Sequence, residues 1–319
     1  MSSILLVLSG LVLFLYALNV LSDSLKELAG DKLKKFIDRF TSNLYSGILA
    51  GAIVTILLDS SSVVIIMTIA LVNSGAMSFR QAIGIVLGAN IGTSFSSQIF
   101  ALNVGEYAAV PIVIGFALMF FSKNAFKVNL GKVIFSFGLI FFGLFTMEEA
   151  VEPLKKSNYF IAWLQSLENT WKGAGVGAVV TVVIQSSSAT VGMIIGLASQ
   201  NMISLTAAIA VLLGAELGTC ADTLVASVGR SKSAVRTGLF HLFFNVITIF
   251  MAMILLPYFT SLVLYVSTGQ SLQRTIANAH MIFNILGVIA ILPVVPLLEQ
   301  LINKLISFNP ASTPATVEQ

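Results

Sequence analysis

Residues 4–21 run for eighteen positions without a charge, and other uncharged runs of about that length or more recur along the chain. A helix of that length crosses a hydrocarbon core of roughly 30 Å, since each residue advances it by about 1.5 Å. The constraint is severe, because in lipid every backbone polar group must be paired, which leaves only helices or closed barrels. The apolar runs are continuous rather than alternating, so a barrel is disfavoured. Composition agrees: 57% of the 319 residues are hydrophobic and 10% charged, far from soluble usage. The 17 Lys and Arg are spread over the whole length, which disfavours a nucleic-acid protein. An all-α polytopic membrane protein is expected.

Residues 4–21 lack a basic leader and a small-residue cleavage site, so they are read as the first spanning helix rather than a signal peptide. Behind them, in residues 23–39, Leu25, Leu28, Leu33, Phe36 and Ile37 recur at helical spacing among charges. That pattern predicts an amphipathic interfacial helix. Residues 43–73 are too long for one span and too short for two, which predicts two half-length helices forming a re-entrant hairpin. Further spans are expected at 80–103, 108–122 and 132–147. A polar loop with a second interfacial segment follows at 148–172, then a second hairpin at 173–199. Spans at 205–228, 237–256 and 276–302 complete the set, and the Pro/Ser/Thr-rich tail reads as disordered. The domain expectation is therefore 1–43 for the first helix and interfacial helix, 44–147 for repeat 1, 148–170 for the extracytoplasmic loop, 171–306 for repeat 2 and 307–319 for the tail. With seven crossings, 13 basic residues fall on one side and four on the other. The positive-inside rule then places the N-terminus outside and the C-terminus in the cytoplasm, in a bacterial inner membrane.

Sliding the sequence on itself gives one gapless match, at an offset of 126: residues 47–93 align with 173–219, with 19 identities in 47 pairs. Shared hydrophobicity explains Leu or Ile matches. It does not explain Ser60-Ser61-Ser62 against Ser186-Ser187-Ser188, or Gly88-Ala89 and Gly92-Thr93 against Gly214-Ala215 and Gly218-Thr219, all in register. The expected three crossings between the two hairpin starts make the copies inverted, the arrangement of many secondary transporters. Each copy is then expected to hold a re-entrant hairpin and an interrupted transmembrane helix.

In each copy an apolar half-helix ends in a polar knot, Asp59-Ser60-Ser61-Ser62 or Gln185-Ser186-Ser187-Ser188. The next half-helix presents unpaired N–H groups at its positive end, a ready site for a small oxyanion. A lone serine would more simply be a helix-packing residue, but a duplicated triplet favours a site. The paired glycines around Asn90 and Thr93, and around Glu216 and Thr219, either let the backbone unwind beside hard oxygen ligands suited to Na⁺ or form a small-residue packing face. Duplication beside the knots favours the former. Asp59, Glu216 and Asp222 are ionisable groups in apolar spans, each costly enough to suggest function. Acids here bind a coupling cation or carry a proton, while Asp222 is read as facing a wet loop. His241 and Asn245, like His280 and Asn284, lie four apart on one helix face and read either as structural polar clamps, the favoured reading, or as residues with a direct role in gating or protonation. One cysteine, Cys220, and two histidines cannot make a Cys/His metal cluster.

These residues resemble the sodium-dependent phosphate cotransporter family, the type II sodium-phosphate cotransporters and their bacterial relatives. The resemblance rests on Gln185 to Ser188 with Ala189-Thr190, on the string from Gly88 to Ser94 and its partner Gly214 to Thr219, and on the two His-x-x-Phe-Asn strings. It implies inverted repeats, inorganic phosphate held by the serines, and uptake driven by Na⁺. Two positions depart from the family pattern: Asp59 stands where it has Gln, and Glu216 where it usually has Asn.

The resulting expectation is a non-enzymatic symporter of inorganic phosphate or a related oxyanion. Ser60, Ser61, Ser62, Gln185, Ser186, Ser187, Ser188, Asn90, Thr93 and Thr219 form its substrate set. Asp59, Glu216, Thr55 and Thr181 form the cation-coupling set, with Na⁺ itself at Asp59, Gln185, Thr93 and Thr219. Na⁺ is the coupling ion and no other cofactor is expected. Phosphate, Na⁺ and membrane lipids are the partners, without nucleic acid, and a homodimer is left open. The alternatives are a proton-coupled carrier of another solute that uses Asp59 or Glu216, and a non-transporting membrane sensor or interaction protein.

Overall fold

A computed structural model describes residues 2–30, 43–102 and 104–306. All regular structure among them is helical. Six helical segments are long and apolar enough to cross a membrane: Leu5–Ala29, Phe79–Phe100, Ala125–Lys156, Leu205–Ser227, Lys232–Ile254 and Leu272–Leu305. Large side chains on their outer surfaces, among them Leu5, Val12, Phe250 and Ile289, are exposed, which suits contact with lipid rather than water. The chain is an integral, polytopic helical membrane protein.

The duplication seen in the sequence is reproduced element by element. Helices α2 (Leu44–Leu58) and α3 (Ser61–Asn73), followed by the long helix α4 (Phe79–Phe100), correspond at the same offset to α8 (Thr170–Ile184), α9 (Ser187–Ser199) and α10 (Leu205–Ser227). Their caps match as well. Asn43 and Asn169 accept backbone N–H bonds at the starts of α2 and α8, as Ser78 and Ser204 do for α4 and α10. The arms α2 and α8 are 15 residues long and α3 and α9 are 13, about 20–23 Å each and short of a full crossing.

Within each copy the first arm lies along the long helix, and the glycines set that approach. A methyl group at Gly88 would stand 1.9 Å from Ile48 O, and one at Gly214 would stand 1.8 Å from Ala174 O. Gly92 and Gly218 seat Thr55 and Thr181, each 2.7 Å from where a Cβ would be. Both long helices are continuous through these glycines. The expected interruption of the transmembrane helices at the Gly-Thr segments is therefore incorrect: the glycines bring backbones together, and the helical hydrogen bonds stay intact. The interruption in each copy lies between the two arms.

The remaining elements surround this pair. Helix α1 (Ser2–Ala29) packs along α6 (Ala125–Val151), with α5 (Ala109–Phe121) on the other side of α6. Helices α11 (Lys232–Ile254) and α13 (Leu272–Ile291) both pack against α4 and α10, with α12 (Leu256–Val266) between them in sequence. In the most apolar 18-residue windows of α4 and α10, 78% and 72% of residues are buried, against 33% in α1, so the two repeat helices form the centre.

Several boundaries differ from expectation. Helix α1 runs on to Ala29, so the interfacial helix does not begin afresh at Asp23; the rest of that segment, and the tail 307–319, lie outside the described residues. The expected span 108–122 is a 13-residue helix, too short to rank with the six. Helix α12, absent from the expected elements, begins at the Pro257 turn. Residues 276–302 are broken by a 3₁₀ turn, Leu292–Val294, before α14 (Val295–Leu305), since Pro293 and Pro296 cannot donate helical hydrogen bonds. The stretch 148–170, expected as a loop with an interfacial segment, holds more helix than a loop would. It contains the end of α6, 3₁₀ turns and the amphipathic α7 (Asn158–Gln165), where exposed Tyr159 and Trp163 suit a membrane interface.

Candidate functional site

The two helix breaks have the same backbone. Asp59 and Gln185 close α2 and α8 in the left-handed region, at φ 52° and 58°, a conformation unfavourable for residues with a Cβ. Ser60 and Ser186 follow in extended conformation at φ −157° and −153°. Each of these serines is the N-cap of the next helix: Ser60 Oγ accepts from Val63 N at 3.3 Å, and Ser186 Oγ accepts from Ala189 N at 3.1 Å. Their oxygens thus serve the helix first. By helix geometry, the N–H groups of Ser61 and Ser62, and of Ser187 and Ser188, have no partner within the helix and lie at its positive end. Ser61 and Ser187 are equally buried, at 6% exposure.

The side chains at the breaks differ. The Asp59 carboxylate accepts a hydrogen bond from Ser96 Oγ on α4. Gln185, its counterpart, is exposed. Ser62 Oγ donates to Asp222 Oδ2 on α10 at 3.3 Å, a contact between the two copies. Asp222 is half-buried on α10 and engaged by Ser62. Ser96 and Asp222 occupy the same repeat position, a polar pair just beyond the stretch of strong identity; that is why the sequence match did not reveal Ser96.

Thr55 and Thr181 lie one turn before the breaks, with 1% of each exposed. Thr181 Oγ1 is 2.8 Å from Thr190 Oγ1, whereas Thr55 Oγ1 is buried without a partner, because the first copy has Val64 at the position of Thr190. Thr93 and Thr219 donate to the carbonyls of Ala89 and Ala215, four residues back, at 3.0 and 3.1 Å. The carbonyls that unwinding was expected to free are occupied. Among the described residues, Asp59 bonds to Ser96, Thr93 to Ala89 O and Thr219 to Ala215 O. No group of three or more His, Cys, Asp and Glu suited to a metal ion occurs among the described residues.

Asn90 and Glu216 belong to a buried polar layer made with α11 and α13. Glu216 Oε1 is 2.7 Å from His280 Nε2, with both side chains at 4% exposure or less. His280 Nδ1 is 2.5 Å from Ser97 Oγ, and Asn284 donates to Ser94 Oγ at 2.9 Å. The twin of this clamp joins His241 Nδ1 to Thr223 Oγ1 at 2.9 Å, with Asn245 donating to His241 O. Asn245 Nδ2 also stands 3.5 Å from Asn90 Oδ1. The His-x-x-Phe-Asn strings therefore form clamps on the two central helices, as their spacing suggested.

An all-helical membrane protein with a duplicated helix break in each repeat and a buried polar layer beside them resembles the architecture of many secondary transporters. A family model described as Na+/Pi-cotransporter matches residues 13–149 and again 146–291. The chain belongs to this family, whose members are transporters rather than enzymes. It is 29% identical to YqeW of Bacillus subtilis, an uncharacterized protein, over 93% of this chain and 96% of that one. It is 24% identical to YjbB of Salmonella typhimurium, proposed by its name to export inorganic phosphate, over 97% of this chain and 57% of that protein. A 100-residue stretch is 40% identical to the sodium-dependent phosphate transport protein 2A of Ovis aries, covering 30% of this chain and 16% of the sheep protein. The chain thus spans nearly all of YqeW but just over half of YjbB. No solved structure matches it.

Proposed function

We propose that this protein carries inorganic phosphate across the membrane in symport with Na⁺, inward under the Na⁺ gradient. The observation that carries the reading is the pair of matched breaks, each ending in a capped helix whose first N–H groups are unspent. Phosphate is held between the N-terminal ends of α3 and α9 by Ser61, Ser62, Ser187 and Ser188, with Gln185, Ser60 and Ser186 at the rim. The family match and the names of YjbB and the sheep protein support phosphate as the substrate class. Na⁺ is placed near Asp59 and the unpartnered Thr55 hydroxyl, with Thr93, Thr219 and Gln185 closing in as the cycle proceeds. Helices α2–α3 and α8–α9 act as re-entrant hairpins of two inverted repeats, which lie within 44–147 and 171–306. Access switches when one hairpin-bearing unit moves against the other. In this topology the N-terminus is outside and the C-terminus cytoplasmic.

The test is uptake of radiolabelled phosphate by proteoliposomes containing the purified protein. Accumulation that requires an inward Na⁺ gradient is the expected result. Uptake indifferent to Na⁺ would remove the coupling, and no movement of phosphate in either direction would remove the substrate.

A further inference from the structure

The two clamps on the central helices are near copies with one chemical difference. Each sets a fully buried histidine against a hydroxyl of a long helix, Ser97 for His280 and Thr223 for His241. Each also carries an asparagine one turn beyond, Asn284 or Asn245, whose Oδ1 is buried without a partner. Only the His280 clamp holds a carboxylate. The His241 clamp packs α10 against α11 without one, so mechanical joining of helices does not require an acid. Glu216 therefore adds a charge whose burial in the membrane is costly and which clamping leaves unexplained.

The hydrogen bonds set the protons each clamp can hold. Thr223 Oγ1 also stands 3.0 Å from Cys220 O, which can only accept; when it donates there it accepts from His241 Nδ1–H, and that ring carries its proton on Nδ1. At His280 both ring nitrogens face groups that accept a change. With one proton on the ring, Nε2–H donates to Glu216 and the Ser97 hydroxyl donates to Nδ1; the pair then carries one negative charge. When a second proton arrives at Nδ1, the Ser97 hydroxyl rotates and becomes the acceptor, and the imidazolium faces the carboxylate with no net charge. No hydrogen bond at the ring is lost in either state, and the added proton offsets a buried charge.

We propose that Glu216, His280 and Ser97 form a proton-binding site that loads and releases one proton during the transport cycle, while the His241 clamp is a proton-silent strut. The site bridges α4, α10 and α13, so a shift of either long helix against α13 alters its proton affinity. The other charged or titratable groups of the surrounding elements are engaged elsewhere or lie outside this layer. At the end of α2, which packs along α4, Asp59 is bonded by Ser96, and Tyr45 of α2 is exposed. On α10, Asp222 is bonded by Ser62, and Cys220 Sγ points to the carbonyls of Glu216 and His241. On α13, Arg274 is held by Gln98. On α11, His241 is bonded to Thr223, and Arg236 donates to Ile306 O. Lys232 opens α11 and Arg80 opens α4; Lys172 of α8 is bonded to Ser166, and Glu168 sits in the turn before α8. Tyr258 and Tyr265 lie exposed on α12, and α3 and α9 carry no ionisable side chain.

The proposal relies on the transporter reading only for its uptake arm. The chain has two histidines, so ¹⁵N-histidine labelling gives two rings, resolved with a His241→Asn variant. In bilayers taken from about pH 8 down to about pH 5, the His280 ring is expected to take up the second proton while His241 keeps one tautomer. Glu216→Gln shifts the His280 transition and Glu216→Asp retains it. Na⁺-driven phosphate uptake is measured over the same span. The ratio of wild-type to Glu216→Gln rates is expected to change by up to about tenfold per pH unit near the transition, which cancels the titration of phosphate itself. A His280 ring in one state throughout, or wild-type and Glu216→Gln profiles of the same shape, would overturn the proposal. If no form moves phosphate, the substrate reading fails, and the ring spectra alone decide the proton site.

Discussion

Ser62 Oγ stands 3.3 Å from Asp222 Oδ2, tying the first helix break to the long helix of the other copy. The bond has a counterpart within the first copy, where Ser96 donates to Asp59. Asp59 and Gln185 are repeat mates, and so are Ser96 and Asp222. The copies have thus exchanged the placement of their acid: the first carries it at the break and the second on the long helix. Both hydrogen bonds meet at the first break, which brings both carboxylates to that break and leaves the second, with Gln185 and three serines, better suited to an anion.

That asymmetry predicts the behaviour of Asp59→Gln, which gives the first break the residue of the second. Loss of the carboxylate should raise the Na⁺ concentration for half-maximal phosphate uptake by about tenfold, equivalent to about 1.4 kcal/mol, a modest value for a buried charge interaction. The phosphate KM at saturating Na⁺ should move much less. Uptake titrated separately in each solute gives the two values, and an unchanged Na⁺ dependence would remove Asp59 from coupling.

Bulk at the helix starts should be fatal to transport and mild for folding. Ser61→Leu or Ser187→Leu fills the space before the free N–H groups of α3 or α9, and each is expected to lower uptake to background, at least about a hundredfold, as loss of a central anion contact would. Membrane insertion and the gel-filtration profile in detergent should persist, because Ser60 and Ser186 still cap the helices. Undiminished uptake would place the anion elsewhere.

The all-helical membrane fold and the position of both breaks could be read directly from the chain, since charge-free length and a repeated Ser triplet are local signals. The cap Asn43 fell where the first hairpin was expected to start, whereas Asn169 lies four residues before the expected start of the second. The state of the glycines could not be read so well. Spacing four apart serves either an unwound segment or a close helix contact, and only the partner decides, here Ile48 O and Ala174 O lying where side chains would go. The same limit hid Ser96, Ser97 and Thr190: hydroxyls are ordinary in membrane helices until a carboxylate, an imidazole or a second hydroxyl is brought against them. Glu216 was legible as costly but not as the partner of His280, 64 residues away.

The glycine contacts yield a stability test with an internal control. Gly88→Ala and Gly214→Ala each drive a methyl group into a backbone carbonyl, which no side-chain rotation can relieve. Each should destabilise the folded protein by about 2–3 kcal/mol and lower its yield from the membrane. Gly175 lies on α8, next to the Ala174 that Gly214 meets, with nothing within 4 Å of an added methyl, and Gly175→Ala should be neutral or stabilising by up to about 1 kcal/mol through helix propensity. Thermal denaturation in one detergent compares all three. Equal melting temperatures for Gly175→Ala and Gly214→Ala would contradict the close approach.

The unpaired Thr55 hydroxyl supports a last prediction, because the second copy shows how to satisfy it. There Thr181 and Thr190 share a hydrogen bond at 2.8 Å; in the first copy the partner position is Val64, which is fully buried. Val64→Thr places a hydroxyl of nearly the same shape opposite Thr55 and should stabilise by about 0.6 kcal/mol, the typical worth of such a bond between membrane helices. Thr190→Val makes the opposite exchange and should destabilise by about 1–2 kcal/mol, since it leaves Thr181 buried without its partner. If Thr55 completes the Na⁺ site, the two effects also separate in function: Val64→Thr engages that oxygen and should weaken Na⁺ activation of uptake even as the protein melts later. Higher stability with unaltered Na⁺ dependence would keep Thr55 as a packing residue and leave the cation to Asp59.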